Sequence, residues 1–98
     1  MNRKRPVEGL EGSFVHGTNL TVANWTFVAG TELPEHSHPH EQIVLVTEGE
    51  LELTVDGETY RLTSGDAATI PGDVPHSGKA ITVCRVIDAF HPVREDLR

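Results

Sequence analysis

Three histidines fall within five residues, His36-Ser37-His38-Pro39-His40, and a fourth, His76, follows the stiff loop Pro71-Gly72-Asp73-Val74-Pro75. On an extended strand, positions i and i+2 point to the same face. His36 and His38 therefore aim two imidazoles at one point, which is what direct ligation of a transition metal requires. Gln42 lies on the next apolar run. Gln42 and His76 can join the pair if their strands are neighbours in a barrel. Pro34, Pro39, Pro71 and Pro75 reduce the entropy lost in holding these side chains in place. A lone histidine is more commonly satisfied by ordinary hydrogen bonds. H-x-H with a further, proline-flanked histidine downstream points instead to a metal. His40 shares the parity of His36 and His38, but Pro39 disturbs the alternation, so His40 is expected near the site or at the surface. His91 is expected to be exposed.

The elements that must carry these groups are strands. Runs between Gly, Pro, Asn and Asp are short, β-branched and alternating, and helix signals are almost absent. Thr21–Val28 places Ala23, Trp25 and Phe27 on one face, as core or as a dimer interface. Gln42–Thr47 is an apolar strand. Leu51, Leu53 and Val55 alternate with Glu52, Thr54 and Asp56, and Asp56-Gly57 is a strong signal for a two-residue hairpin turn. Thr59–Leu62 returns, with Tyr60 as a pocket or core residue. Ala67–Ile70 is short, and Ala80–Ala89 reads as one long strand. Residues 93–98 are a helical turn or a tail. About eight such strands make an all-β barrel or sandwich.

The chain has 98 residues, the size of one domain. Its formal charge of −7 argues against nucleic acid or an anionic membrane as the main partner. Arg3, Lys4 and Arg5 supply three of the eight bases and are expected to be a frayed terminus, within an N-terminal arm at 1–12 ahead of a domain at 13–98. There is no apolar run of bilayer length and no charged-then-apolar leader pattern, so a cytoplasmic protein is expected. Cys84 has no partner for a disulfide and suits a small core position. Hydrophobic content of 37% is low for so short a chain, which would benefit from a metal, a dimer interface or both.

Two motifs make a resemblance specific. Gly30-(five residues)-His36-x-His38-(three residues)-Gln42-(six residues)-Gly49 resembles the first cupin motif, and Gly65-(five residues)-Pro71-(four residues)-His76 resembles the second. The resemblance implies a single-domain double-stranded β-helix, a jelly-roll barrel. It implies a divalent transition metal (Mn, Fe, Ni, Co, Cu or Zn) held by His36, His38, Gln42 and His76. It also implies a homodimer in which two barrels pack sheet to sheet. Two positions depart from the family pattern. Gln42 stands where Glu is usual, with Glu41 one place earlier, and Ala80 stands where the second motif usually ends in Asn. Three neutral imidazoles and an amide leave the charge of a divalent ion uncompensated. Such a site is a stronger Lewis acid, attracts anions and binds its metal more weakly.

The ending Asp88-Ala89-Phe90-His91-Pro92-Val93-Arg94-Glu95-Asp96 resembles that of small cupins of the pectin-degradation family, which also carry Gln at the position of Gln42. That resemblance implies an enzyme converting a cyclic 4,5-unsaturated uronate to a linear keto sugar acid, with Asp88, Phe90 and Arg94 contacting substrate. The residue types suit the chemistry. Asp88 and Phe90 share a face, and Asp88 can exchange protons with a hydroxyl or enol ether. Phe90 offers a plate for a sugar ring, and Arg94 can clamp a carboxylate. Plainer roles compete: Asp88 ending a strand beside Arg85, Phe90 in the core, Arg94 in a solvated tail. Two other functions remain open, a metal-dependent dioxygenase and a non-catalytic small-ligand-binding module.

Overall fold

A computed structural model describes residues 2–98 of the chain. Ten strands run in order: β1 (Asn2–Lys4), β2 (Leu10–His16), β3 (Thr21–Phe27), β4 (Glu32–His36), β5 (Glu41–Glu48), β6 (Glu50–Val55), β7 (Glu58–Thr63), β8 (Ala67–Ile70), β9 (His76–Ala80) and β10 (Cys84–His91). A single 3-10 turn, Glu95–Leu97, follows. The strands form two antiparallel sheets, β1-β2-β3-β10-β5-β8 and β4-β9-β6-β7. This is the expected all-β jelly-roll barrel. Among the described residues, no helix is long and apolar enough to cross a membrane.

Alternation along the central strand shows why the barrel closes. Cys84, Val86, Asp88 and Phe90 of β10 are buried, while Arg85 and His91 face solvent. β10 is flanked by β3 through Val86↔Trp25 and Asp88↔Ala23, and by β5 through Val86↔Val46 and Phe90↔Gln42. The inward residues of both neighbours complete the apolar filling, with Ala23 of β3 and Val46 of β5 fully buried, as is Ile70 of β8 beyond them. The β6–β7 hairpin turns on Asp56 and Gly57, with φ of 49° and 82°. Positive φ at both positions suits a type I′ turn, whose twist matches the strands. At Gly12 of β2 the Trp25 ring occupies the space a Cβ would need. The indole thus lies flat across β2 and stays inside the barrel.

Several expectations need correction. The N-terminus is not frayed over residues 2–4: β1 pairs with β2 through Arg3↔Ser13 and Lys4↔Gly12. Leu10 is buried in the core, and a boundary at residue 13 would fall inside β2. The long strand expected at Ala80–Ala89 is two strands in different sheets, with a bend at residues 81–83 carrying the chain across the barrel. The alternation of Ile81, Thr82 and Val83 hides that bend. Tyr60 belongs to neither pocket nor core. It is exposed on β7, and its hydroxyl donates to Glu58.

Candidate metal centre

Both sheets meet at the histidines. β4 pairs with β9 so that His36 lies directly opposite His76, after a bulge between Leu33 and His36. Their ring centroids are 4.2 Å apart. His38 sits in the connection at 37–40, its ring 5.9 Å from His36 and 4.9 Å from His76. The proline-rich loop pins this connection: the Asp73 N–H donates to the His38 carbonyl at 2.7 Å. One candidate ligand atom from each of His36, His38 and His76 lies within 4.8 Å of the others.

Backbone carbonyls fix the orientation of all three rings. Nδ1 of His36 donates to Pro34 O at 2.8 Å, Nδ1 of His38 to His40 O at 3.1 Å, and Nδ1 of His76 to Val74 O at 2.9 Å. A carbonyl only accepts, so each Nδ1 carries the proton and each Nε2 keeps its lone pair free. Such outer hydrogen bonds set the tautomer of metal-binding imidazoles. Burial keeps the His38 ring neutral, its pKa pushed down to about 4, with Arg94 and His76 adding to the effect. Burial also lowers His76. The His76 Nε2 is buried without a hydrogen-bond partner. This donor set fits a divalent transition metal: neutral imidazoles, convergent lone pairs and one orphaned acceptor among them.

Gln42 reaches the same centre from β5. Its Oε1 lies 3.1 Å from His38 Nε2. On the other side, its amide faces Asp88 on β10. Burial pushes the Asp88 carboxyl up to about 7, and the Gln42 amide, the Trp25 indole and Arg94 each pull it back. Trp25 Nε1 donates to Asp88 Oδ2 at 2.9 Å, while Asp88 Oδ1 is buried without a close partner. A carboxyl that titrates near neutrality and keeps one free oxygen can exchange protons with a bound molecule.

Arg94 closes the arrangement. Its guanidinium carbon lies 4.6 Å above the centre of the Phe90 ring, and that ring is 5.7 Å from His38. The Arg94 side chain is 12% exposed. Its backbone N–H donates to Thr21 Oγ1 at 2.8 Å, and Thr21 Oγ1 also meets His16 Nδ1 at 2.9 Å. A cavity of about 240 Å³ runs between the sheets, and His36, His38, Gln42, His76, Asp88, Phe90 and Arg94 all line it. Most of the remaining wall is apolar, including Leu33, Phe14 and Trp25.

The residues singled out in the sequence are thus gathered in one place, and their competitors are not. Glu41 is exposed while Gln42 is buried, so no register shift brings Glu41 inward. Arg85 faces away from Asp88 on the outer side of the sheet. His40 lies beside His38, with ring centroids 5.6 Å apart, but outside the convergent three. His16 holds Thr21, and His91 is exposed. The structure adds groups that sequence reasoning missed. Trp25 shares the inward parity of Ala23 and Phe27, which marks it as interior without revealing its bond to Asp88. Lys4 lines the cavity from a strand taken for a loose end, and Asp96 holds Arg94.

The family model for the cupin domain matches residues 23–90. Among solved structures, KdgF from Halomonas sp. superposes with a TM-score of 0.93 at 30% identity, covering 100% of this chain and 92% of that one. An RmlC-like cupin from Shewanella frigidimarina gives 0.92 at 33% identity, covering 99% and 88%. Among curated proteins, the HTH-type transcriptional regulator PuuR of Escherichia coli is 34% identical over an alignment of 92 residues that covers 87% of this chain and 50% of the regulator. Quercetin 2,3-dioxygenase of Bacillus subtilis is 56% identical over an alignment of 50 residues that covers 49% of this chain and 14% of the enzyme. The chain spans half the length of these curated relatives or less. With the family model covering most of the barrel, and small cupins superposing over nearly the whole chain, this protein belongs to the cupin family.

Proposed function

We propose that the protein is a metal-dependent enzyme that opens the ring of a 4,5-unsaturated uronate to give a linear keto sugar acid. His36, His38, Gln42 and His76 would hold the metal. The observation that carries this reading is the juxtaposition of three free Nε2 lone pairs with a buried, half-satisfied Asp88 and a sheltered Arg94. The match to KdgF over the whole chain supports it, as does the resemblance of the ending at residues 88–96 to the pectin-degradation cupins.

The reaction is an isomerisation and needs no oxidant. Asp88, as carboxylate, takes the proton of the anomeric hydroxyl. The bond between the anomeric carbon and the ring oxygen breaks, leaving an aldehyde at carbon 1 and an enolate across carbons 4 and 5. The proton held on Asp88 goes to carbon 4, and the enolate becomes a ketone. A carboxyl poised near neutrality serves both transfers. Trp25 holds Asp88 in place through Oδ2 and leaves Oδ1 for the substrate. Phe90 lies under the ring, and Arg94 holds the substrate carboxylate. A divalent cation bound at the four donors supplies electrostatic stabilisation of charge developing on the sugar oxygens. The cavity is of a size for a single sugar.

The test is direct. The unsaturated uronate loses its ultraviolet absorbance when the conjugated double bond is consumed. Metal-loaded protein should abolish that absorbance, and a chelator should stop the loss. Unchanged absorbance with loaded protein would reject the reading. The local identity to quercetin 2,3-dioxygenase favours one alternative, an oxygen-dependent cupin. Oxygen uptake with Fe or Mn and a phenolic substrate would support it.

We further propose a homodimer through the outer face of the larger sheet. Val15, Val22, Ala89 and Ile43 form one cross-strand row there, in register from β2 to β5. Val15, Val22 and Ile43 are exposed by 61%, 42% and 48%. A contiguous apolar row on a soluble sheet marks an association surface, and a second copy presents the same row.

A further inference from the structure

We propose that Asp96 is a positioning residue for ligand recognition: it grips one edge of the Arg94 guanidinium and so presents the other edge to a carboxylate in the cavity. The inference rests on the anion-binding role proposed for Arg94 and goes one residue beyond it.

Arg94 lies past the end of β10, where no strand ladder holds it. A free arginine has many rotamers, and orienting it costs entropy. Three contacts remove that freedom here. Thr21 Oγ1, fully buried, holds the Arg94 backbone N–H. The Phe90 ring lies under the guanidinium. Asp96 then accepts two parallel bonds, from Nε to Oδ1 at 2.9 Å and from Nη2 to Oδ2 at 2.7 Å.

The geometry of the fork decides what is left. A guanidinium has five N–H donors, and Asp96 takes one on Nε and one on Nη2. Both donors of Nη1 and the second donor of Nη2 stay available. They form the end-on edge, which receives both oxygens of a second carboxylate. Asp96 approaches from the solvent side, its side chain 57% exposed against 12% for Arg94. The ligand approaches from the cavity that Arg94 lines. The two carboxylates thus occupy different edges and do not compete. The ligand class follows: a sugar-sized monocarboxylate, with its carboxylate on Arg94 and its hydroxyls toward the histidines. The corresponding ester, which has no charge, gains nothing from the arrangement.

The experiment compares D-galacturonate with its methyl ester by calorimetry on metal-loaded protein, in the wild type, Asp96→Asn and Asp96→Glu. The wild type should prefer the acid. Asp96→Asn should weaken acid binding by about tenfold and leave ester binding unchanged, because only the oriented charge-assisted bonds are lost. Asp96→Glu should restore part of the difference. Acid binding as tight in Asp96→Asn as in the wild type, or tighter, overturns the inference, and so does an equal loss for acid and ester. A wild type that does not distinguish acid from ester removes the role of Arg94 itself, and that of Asp96 with it.

Discussion

Gln42 Oε1 lies 3.1 Å from Nε2 of His38, and neither atom carries a proton. The Nδ1 proton of His38 is committed to the His40 carbonyl, so two acceptors face each other. Rotating the amide would satisfy His38 but turn its oxygen onto the buried Asp88. A divalent cation held by His38 and Gln42 would resolve the contact, with the amide N–H groups left on the side of Asp88. The same relationship gives a physical reason for Gln here in place of Glu. A glutamate would set two carboxylates side by side in a desolvated site, where like charges cannot both ionise without cost.

Gln42→Glu should therefore separate metal binding from turnover. Metal affinity should rise, because a carboxylate cancels part of the cation's charge. Uronate turnover should fall by about tenfold or more, because Asp88 gains a like-charged neighbour. Metal titration and the absorbance assay measure the two effects. A variant with unchanged affinity and rate would contradict the placement of Gln42 between metal and Asp88.

Asp88 and His38 should oppose each other in the pH dependence of stability of the metal-free protein. The Asp88 carboxyl moves from 3.8 to about 7 on folding, so between those values the folded chain keeps a proton that the unfolded chain releases. Stability from this group falls as pH rises through that window, by on the order of 4 kcal/mol in all. His38 moves from 6.5 to about 4, so the unfolded chain binds the extra proton and stability rises from pH 4 to 6.5. His76, also lowered, acts in the same sense. Asp88→Asn leaves only the histidines. Its Tm should climb across pH 4 to 6.5 more steeply than that of the wild type, and parallel curves would contradict the buried carboxyl. The same variant should lose uronate turnover by about a hundredfold or more.

Trp25→Phe keeps the ring packed across Gly12 but deletes the Asp88 donor. The carboxyl should then titrate higher, since a bond that favours its charged form is gone. The acid limb of the pH–rate profile should move upward while metal content stays constant. A profile that does not move would reduce Trp25 to packing alone.

Ile43→Glu should give a monomer by sedimentation. It places a charge in the middle of the outer apolar row, opposite Ala89 and far from any inward position. A wild type that sediments as a monomer would contradict the proposed pairing.

The inward-facing part of the site was readable because strand parity is local. His36 and Gln42 stand in strands whose alternation marks their facing, and Asp88 and Phe90 share a face by the same rule. The contributions that escaped depend on long-range pairing. Nothing in residues 1–5 says that β1 pairs with β2 and brings Lys4 to the cavity wall. The apolar character of Ile81 and Val83 masks the bend that separates β9 from β10. Asp96 stands two residues from Arg94 on a turn too short for periodicity to mark, so its grip on the guanidinium appears only in three dimensions.

The central claim is that His36, His38, Gln42 and His76 converge on one divalent ion. Calorimetric titration of chelator-stripped protein with Co(II), beside His76→Ala, tests it most directly. The account predicts one ion per chain in the wild type and none retained by the variant, with both proteins folded. A wild type that binds no metal, or a His76→Ala protein that binds it equally well, would contradict the account.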